Sequence, residues 1–254
     1  MTLDDGGEYR GNDTQRFLWR CWVDYWSQVE ALQKQTGYPI LAVFNGDVAE
    51  IDAKSRTSQV ITRNKASAMG IVRSALERPI QLADWALFIR GTTAHVGKSA
   101  WMEELAGDYD NTIKTDAGRF SWWNWRGWVD NLLIDFQHAV RLGTKEDTRP
   151  NALGALALEI EREAYREGRR VPHLAIRSHG HHYAETYDNF PVRVIATGCF
   201  QGITEYIYKR PFATNPHIGG LLIITGDEWT VKKIRYTMPK TKLATLPPIN
   251  GKST

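Results

Sequence analysis

The sequence predicts a layered α/β domain, with central mixed β-sheets flanked by helices. Two short apolar runs, residues 40–44 and Trp85–Ile89, are unbroken and stop at polar turn residues, as strands buried on both faces do. Between and around them lie stretches whose apolar residues recur at helical spacing. The second half holds several strand-like segments with turn signals between them. Strands alternating with helices early, then strands pairing later, give layers of sheet and helix.

Each element follows from its residues. Residues 1–12 are polar and glycine-rich. Asn12, Asp13 and Thr14 offer helix caps before Phe17, Leu18, Cys21, Trp22, Tyr25, Trp26 and Val29, and Gly37-Tyr38-Pro39 ends that helix. Trp19, Trp22 and Trp26 are expected to pack the helix onto its neighbours. Residues 40–44 form a buried strand that stops at Asn45-Gly46-Asp47. A second helix runs from about Ala66 to Leu76. The strand Trp85–Ile89 leads into Arg90-Gly91-Thr92-Thr93-Ala94-His95, and residues 99–106 form a short helix. Residues 120–138 read as a hairpin turning near Asp130-Asn131, and 151–169 as a long helix rich in Ala, Leu and Glu. There follow a strand ending at His179, a strand at 192–196, and a hairpin of 221–225 with 230–236. One domain is expected over 1–238. The Lys-, Thr- and Pro-rich tail, 239–254, is expected to be mobile.

Composition narrows the classes. Of 254 residues, 42% are hydrophobic, which is enough for a sizeable core, and ten are tryptophan. The net charge is +3, from 32 basic and 29 acidic residues, so charge neither demands nor excludes a nucleic-acid partner. Cys21 and Cys199 are far apart and do not read as a disulfide framework, which points to a reducing cytosol. The acidic start does not read as a signal peptide, and no apolar run reaches the roughly 18 residues that span a bilayer. No membrane association is expected.

Metal-competent side chains gather at strand ends. Three of the seven histidines fall in Ser178-His179-Gly180-His181-His182. Asp47 follows the strand at 40–44, His95 the strand at 85–89, and His138 the return strand of the hairpin. Loops at the C-terminal ends of strands are where open α/β sheets place their sites. One carboxylate with several imidazoles suits Mn, Fe, Zn or Ni better than Mg or Ca.

In this order the motifs resemble those of the calcineurin-like metallophosphoesterase superfamily: Asp-x-His, Gly-Asp, Gly-Asn-His, a lone His, then Gly-His-x-His. Gly46-Asp47 matches the second, Gly91 to His95 is an altered third, His138 is the lone histidine, and Ser178-His179-Gly180-His181 is the last with Ser for Gly. The resemblance spans residues 38 to 236. Phrases such as Trp19-Arg20-Cys21-Trp22 look most like phage- and prophage-encoded members, and hence like proteins of a bacterial host's cytoplasm.

The resemblance implies a metallophosphoesterase-like fold and hydrolysis of phosphoester bonds, as by a phosphodiesterase or nuclease, with a two-metal mechanism. Asp47 would bridge two divalent cations, manganese first among the candidates. His138 and His179 would bind the second cation and His181 the first. His95 would protonate the leaving alkoxide. Thr92 stands near the place of a missing Asn ligand, as a weak ligand or a support. Arg90, Lys98 and Arg177 are candidate phosphate contacts. No Asp-x-His precedes Asp47, because His95 is the earliest histidine. The family's first strand therefore has no counterpart, and the first cation keeps two protein ligands. An upstream coding segment or a decayed prophage copy would each account for this.

Two other readings stand beside this one. The chain is a non-catalytic relative that keeps the fold as a binding protein, or a single-strand nucleic-acid-binding module. The second would use Trp122-Trp123-Asn124-Trp125-Arg126-Gly127-Trp128, where aromatics with arginine can stack on bases. Against it, Trp123 and Trp125 would share one strand face and are expected in the core. The sequence leaves the substrate and the oligomeric state open.

Overall fold

The computed structural model describes residues 6–51, 60–143, 145–209 and 214–239. The predicted tail, but for Pro239, lies outside them. The helices are α1 (Asp13–Thr36), α2 (Lys65–Leu82), α3 (Thr93–Val96), α4 (Trp101–Ala106), α5 (Arg149–Arg166) and α6 (Glu205–Tyr208). The strands are β1 (Leu41–Asn45), β2 (Trp85–Ile89), β3 (Ser121–Trp122), β4 (Asn124–Val129), β5 (Leu132–Gln137), β6 (Leu174–Arg177), β7 (Ala184–Glu185), β8 (Arg193–Ala196), β9 (Ile218–Ile224) and β10 (Thr230–Tyr236).

Four layers result. The first sheet, β1-β2-β3, is parallel, with Leu41 opposite Trp85 and Asn45 opposite Ile89. The second, β4-β5-β6-β8-β7, is mixed, parallel along β5-β6-β8 and antiparallel at both ends. β9 and β10 form a separate antiparallel hairpin. Helices α1 and α2 cover one face of the first sheet through Trp26, Met69, Val72, Phe44 and Phe88. Between the sheets lie Leu87, Ile89, Leu132, Ile134, Phe136 and Ile176. On the far side α5 packs Leu153, Ala157 and Ile160 onto Ala175 and Val194. The predicted architecture is therefore the observed one.

Local chemistry explains the boundaries. Asn12 caps α1 in a reciprocal box with Gln15, and Gly37 ends it at φ 68°, a conformation that costs glycine little. Of the tryptophan stripe, Trp26 is buried and Trp22 partly so, whereas Trp19 is half exposed. Helix α2 runs past the predicted Leu76 to Leu82, with Pro79 inside it. Proline cannot donate to the carbonyl four residues back. That carbonyl, of Ala75, accepts instead from the Trp22 indole N–H at 2.9 Å.

The predicted hairpin at 120–138 is divided. Ser121 and Trp122 join the first sheet, and pairing of β4 with β5 begins at Asn124. Two side-chain bonds hold the divided piece: Ser121 Oγ donates to Glu104 at 2.7 Å, and Trp122 Nε1 to the Ile113 carbonyl at 2.8 Å. Trp123 falls at the bend and is 60% exposed, so it does not enter the core as expected, whereas Trp125 packs on Phe136 at 6.0 Å.

β1 is the edge of its sheet. Beside it a half-open cavity of about 1370 Å³ is lined by consecutive residues 41–45 of β1 and 219–224 of β9, and runs on to Asp47, His95, His138, His179 and His181. Among the described residues no helix is long and apolar enough to cross a membrane.

Candidate metal centre

Parallel neighbours deliver the site. β1 and β2 end at Asp47 and at the 90–95 loop, and β5 and β6 end at His138 and His179. Asn45 joins the two sheets there. Its Nδ2 donates to Ser178 Oγ at 2.8 Å, and its main-chain oxygen accepts from His138 Nδ1 at 2.6 Å. That bond sets the His138 tautomer and turns Nε2 toward the site as a lone pair. Nε2 lies 3.0 Å from Asp47 Oδ2, yet it is buried and not aligned for a hydrogen bond. His179 Nδ1 is 3.9 Å from the same oxygen. Ligand atoms of Asp47, His138 and His179 all lie within 4.8 Å of one another. A buried ring nitrogen without a hydrogen-bond partner, beside a carboxylate and a second imidazole, fits a divalent cation taken at one shared point.

Asp47 is held on several sides. Its Oδ1 accepts from the Thr92 N–H at 2.6 Å and the Thr92 hydroxyl at 3.1 Å, and Oδ2, which faces the imidazoles, lies a longer 3.3 Å from the same hydroxyl. Thr92 thus supports Asp47 directly. A Cβ on Gly46 would lie 2.3 Å from His138 Nδ1, and one on Gly91 would lie 2.2 Å from Asp47 Oδ1. Both glycines are required by close approach. Asp47, His179 and His181 all have positive φ, at 56°, 61° and 56°. Such a conformation is costly for a residue with a side chain and is kept where its surroundings enforce it.

Without a cation, Asp47 and the neighbouring His138 imidazole hold one another in their charged forms. Burial works to raise the Asp47 carboxyl, but His138 and His179 outweigh it and hold it far below the usual carboxylate range. Burial works to lower His138, and Asp47 with the Asn45 carbonyl outweighs it, so His138 is raised. His181 is pushed down to about 4 by burial and then by the charge of His179. Glu103 is pushed up to about 8, by burial first and with the charge of Asp47 adding.

The remaining predicted residues separate. His95 faces the same cavity with its Nδ1 on Glu50 Oε2, a partner that the sequence reading did not pick out. His181 lines the cavity but stands outside the three-residue group. Arg90 donates to Ser121 Oγ at 3.0 Å and lies 4.8 Å over the Trp123 ring. Arg177 is buried on Asp135 at 2.7 Å. Lys98 is exposed. His182 packs its ring against His217 at 5.0 Å.

Sequence reasoning missed Glu103, which is fully buried and accepts from the Asp47 N–H at 2.9 Å and the Gly91 N–H at 3.2 Å. Nothing in the sequence marks it apart from other helical acids. For Glu50 the signal was proximity, three residues after Asp47.

Fold and site together define a mixed α/β protein with a carboxylate–histidine group fit to hold a divalent cation. No family model matches the chain, and no curated protein matches it. Solved structures show a loose likeness to Vps29. For a single-residue variant of Vps29 from Entamoeba histolytica the TM-score is 0.39 at 11% identity, covering 83% of this chain and 89% of that one. For the wild-type protein from the same organism, complexed with zinc, the values are 0.38, 12%, 82% and 88%. For Vacuolar Protein Sorting 29 from Cryptosporidium parvum they are 0.33, 12%, 79% and 98%. Likeness this loose says nothing of activity or ligands.

Proposed function

We propose that this protein is a metal-dependent phosphoesterase whose cation is held by Asp47, His138 and His179. One observation carries the reading: the buried His138 Nε2, its tautomer set by the Asn45 carbonyl, meets Asp47 Oδ2 at 3.0 Å without an aligned hydrogen bond. A divalent cation bound there, manganese in our reading, supplies Lewis-acid activation of the phosphoester and of the attacking water. The chain's own residues do the rest. Asp47 and the two imidazoles fix the cation and orient the phosphoryl group. His95, held at Nδ1 by Glu50, gives the proton at Nε2 to the leaving oxygen as its bond to phosphorus breaks. The order of the Asp47, His95, His138 and His179–His181 motifs supports this reading, and the phage-type phrases favour a nucleic-acid phosphodiester and a bacterial cytoplasm.

The test is manganese-dependent hydrolysis of bis-p-nitrophenyl phosphate by wild type, His95→Ala and Asp47→Asn. Activity in the wild type, cut sharply in both variants, is expected. Equal activity in all three overturns the assignment.

A second reading rests on His181. Among the described residues it stands outside the one group able to share an ion, so a second cation has few ligands. A fold-retaining protein that binds without hydrolysis fits this arrangement. It predicts less than one metal per chain by elemental analysis after purification, and no turnover. Nucleic-acid binding through the exposed Trp123 would survive chelation and weaken steeply with salt.

A further inference from the structure

We propose that Glu103 is the positioning residue of this centre: one of its carboxyl oxygens ties the loop after β1 to the loop after β2 and so sets where Asp47 presents its own carboxylate. The inference rests on the metal-site reading above.

The geometry is specific. Glu103 Oε1 accepts from two main-chain N–H groups, of Asp47 at 2.9 Å and of Gly91 at 3.2 Å. These N–H groups belong to loops that leave adjacent parallel strands, paired at their ends through Asn45 and Ile89. Neither loop is regular there. Asp47 has a φ of 56°, and Gly91 comes so near Asp47 that no side chain fits between them. A main-chain N–H in so crowded a place needs an acceptor, and Glu103 serves both with one atom.

Its second oxygen, Oε2, is buried and has no hydrogen-bond partner among the described residues. The pair of bonds at Oε1 is therefore its polar anchorage. Thr92 completes the arrangement by holding Asp47 Oδ1 through its N–H at 2.6 Å, while its hydroxyl is shared between Oδ1 at 3.1 Å and Oδ2 at 3.3 Å, so Asp47 is fixed chiefly at its N–H and at Oδ1, and Oδ2 faces the imidazoles.

The experiment compares manganese and zinc affinity, by calorimetry, in wild type, Glu103→Gln, Glu103→Met and Met102→Ala. Gln keeps the acceptor, Met keeps the bulk and removes it, and Met102 is a buried neighbour on α4 whose side chain offers neither loop N–H a carboxyl acceptor. Expected are affinity within about threefold of wild type for Glu103→Gln and a loss of about tenfold or more for Glu103→Met, the range seen when a group supporting a metal ligand is removed. Met102→Ala should lower the melting temperature yet keep affinity. Wild-type affinity in Glu103→Met, or an equal loss in Met102→Ala, overturns the proposal. Should Glu103→Met not fold, the amide proton shifts of Asp47 and Gly91 in Glu103→Gln decide. Both move if they bond Glu103, and two unmoved resonances sink the idea. A wild type that binds neither metal removes the metal-site reading instead, and leaves the amide measurement standing.

Discussion

His138 gives its Nδ1 proton to the main-chain oxygen of Asn45 at 2.6 Å, across the gap between two sheets. The bond orients the ring and settles which nitrogen remains for a cation. A metal that binds the folded state alone stabilises it by about 2.7 kcal/mol at a hundredfold excess over its Kd. Manganese or zinc should therefore raise the melting temperature of the wild type. Asp47→Asn and His138→Ala should lose that increment, and a thermal scan with and without chelator reads it.

Gly91→Ala places a Cβ 2.2 Å from Asp47 Oδ1 and 2.3 Å from Asp47 N. Neither atom is the loose end of a flexible chain, so the loop must shift. A cost of about 1–3 kcal/mol is expected, as for other overpacked sites. Urea unfolding measures the cost, and calorimetry should show weakened metal binding in the same variant.

Trp22 and Pro79 should be coupled. Trp22→Phe removes the donor to the Ala75 carbonyl and should cost about 1 kcal/mol. In a Pro79→Ala background position 79 regains its own N–H, and the cost of Trp22→Phe should shrink. A double-mutant cycle tests this, and additive losses would contradict it.

Asp135 lies fully buried between Arg126 at 2.9 Å and Arg177 at 2.7 Å. Asp135→Ala would leave two guanidinium groups without their counter-charge in a dry place. A loss of about 3–5 kcal/mol follows, as for other broken buried pairs. The midpoint of denaturant unfolding should fall accordingly, and a drop under 1 kcal/mol would contradict that account.

Burial works to raise Glu185, but Lys233 and Arg193 outweigh it and hold its carboxyl below the ordinary value of 4.5. A depressed folded value adds stability that is complete above 4.5 and is lost as pH falls through the folded value. The stability gap between wild type and Glu185→Gln should thus be flat from pH 7 to 5 and narrow below 4.5. Urea midpoints across that range check the sign.

The layering was legible because the strand runs are unbroken and end at Asn45, Arg90 and Ser178, and because Asn12 and Gly37 punctuate α1 so plainly. Strand ends in turn exposed Asp47, His138 and His179. What stayed hidden were relations between distant chain segments. No periodicity reveals that Trp22 will supply the donor Pro79 lacks, or that β3 will leave its hairpin for another sheet. Nor does it show that Glu103, one acid among several near α4, will turn inward beneath Asp47. Those outcomes depend on packing between segments far apart in the sequence.

Among the described residues no strand pairs with the outer margin of β1, which has a practical meaning for anyone handling this protein. Its five residues, buried or half-buried, carry neither lysine nor proline, the devices that keep edge strands from recruiting others. Crowding should thus favour chance pairing along that margin. Because the strand leads within two residues to Asp47, such pairing would also disturb the carboxylate. Metal titrations made at high and at low protein concentration would then disagree, and the dilute measurement would be the one to keep.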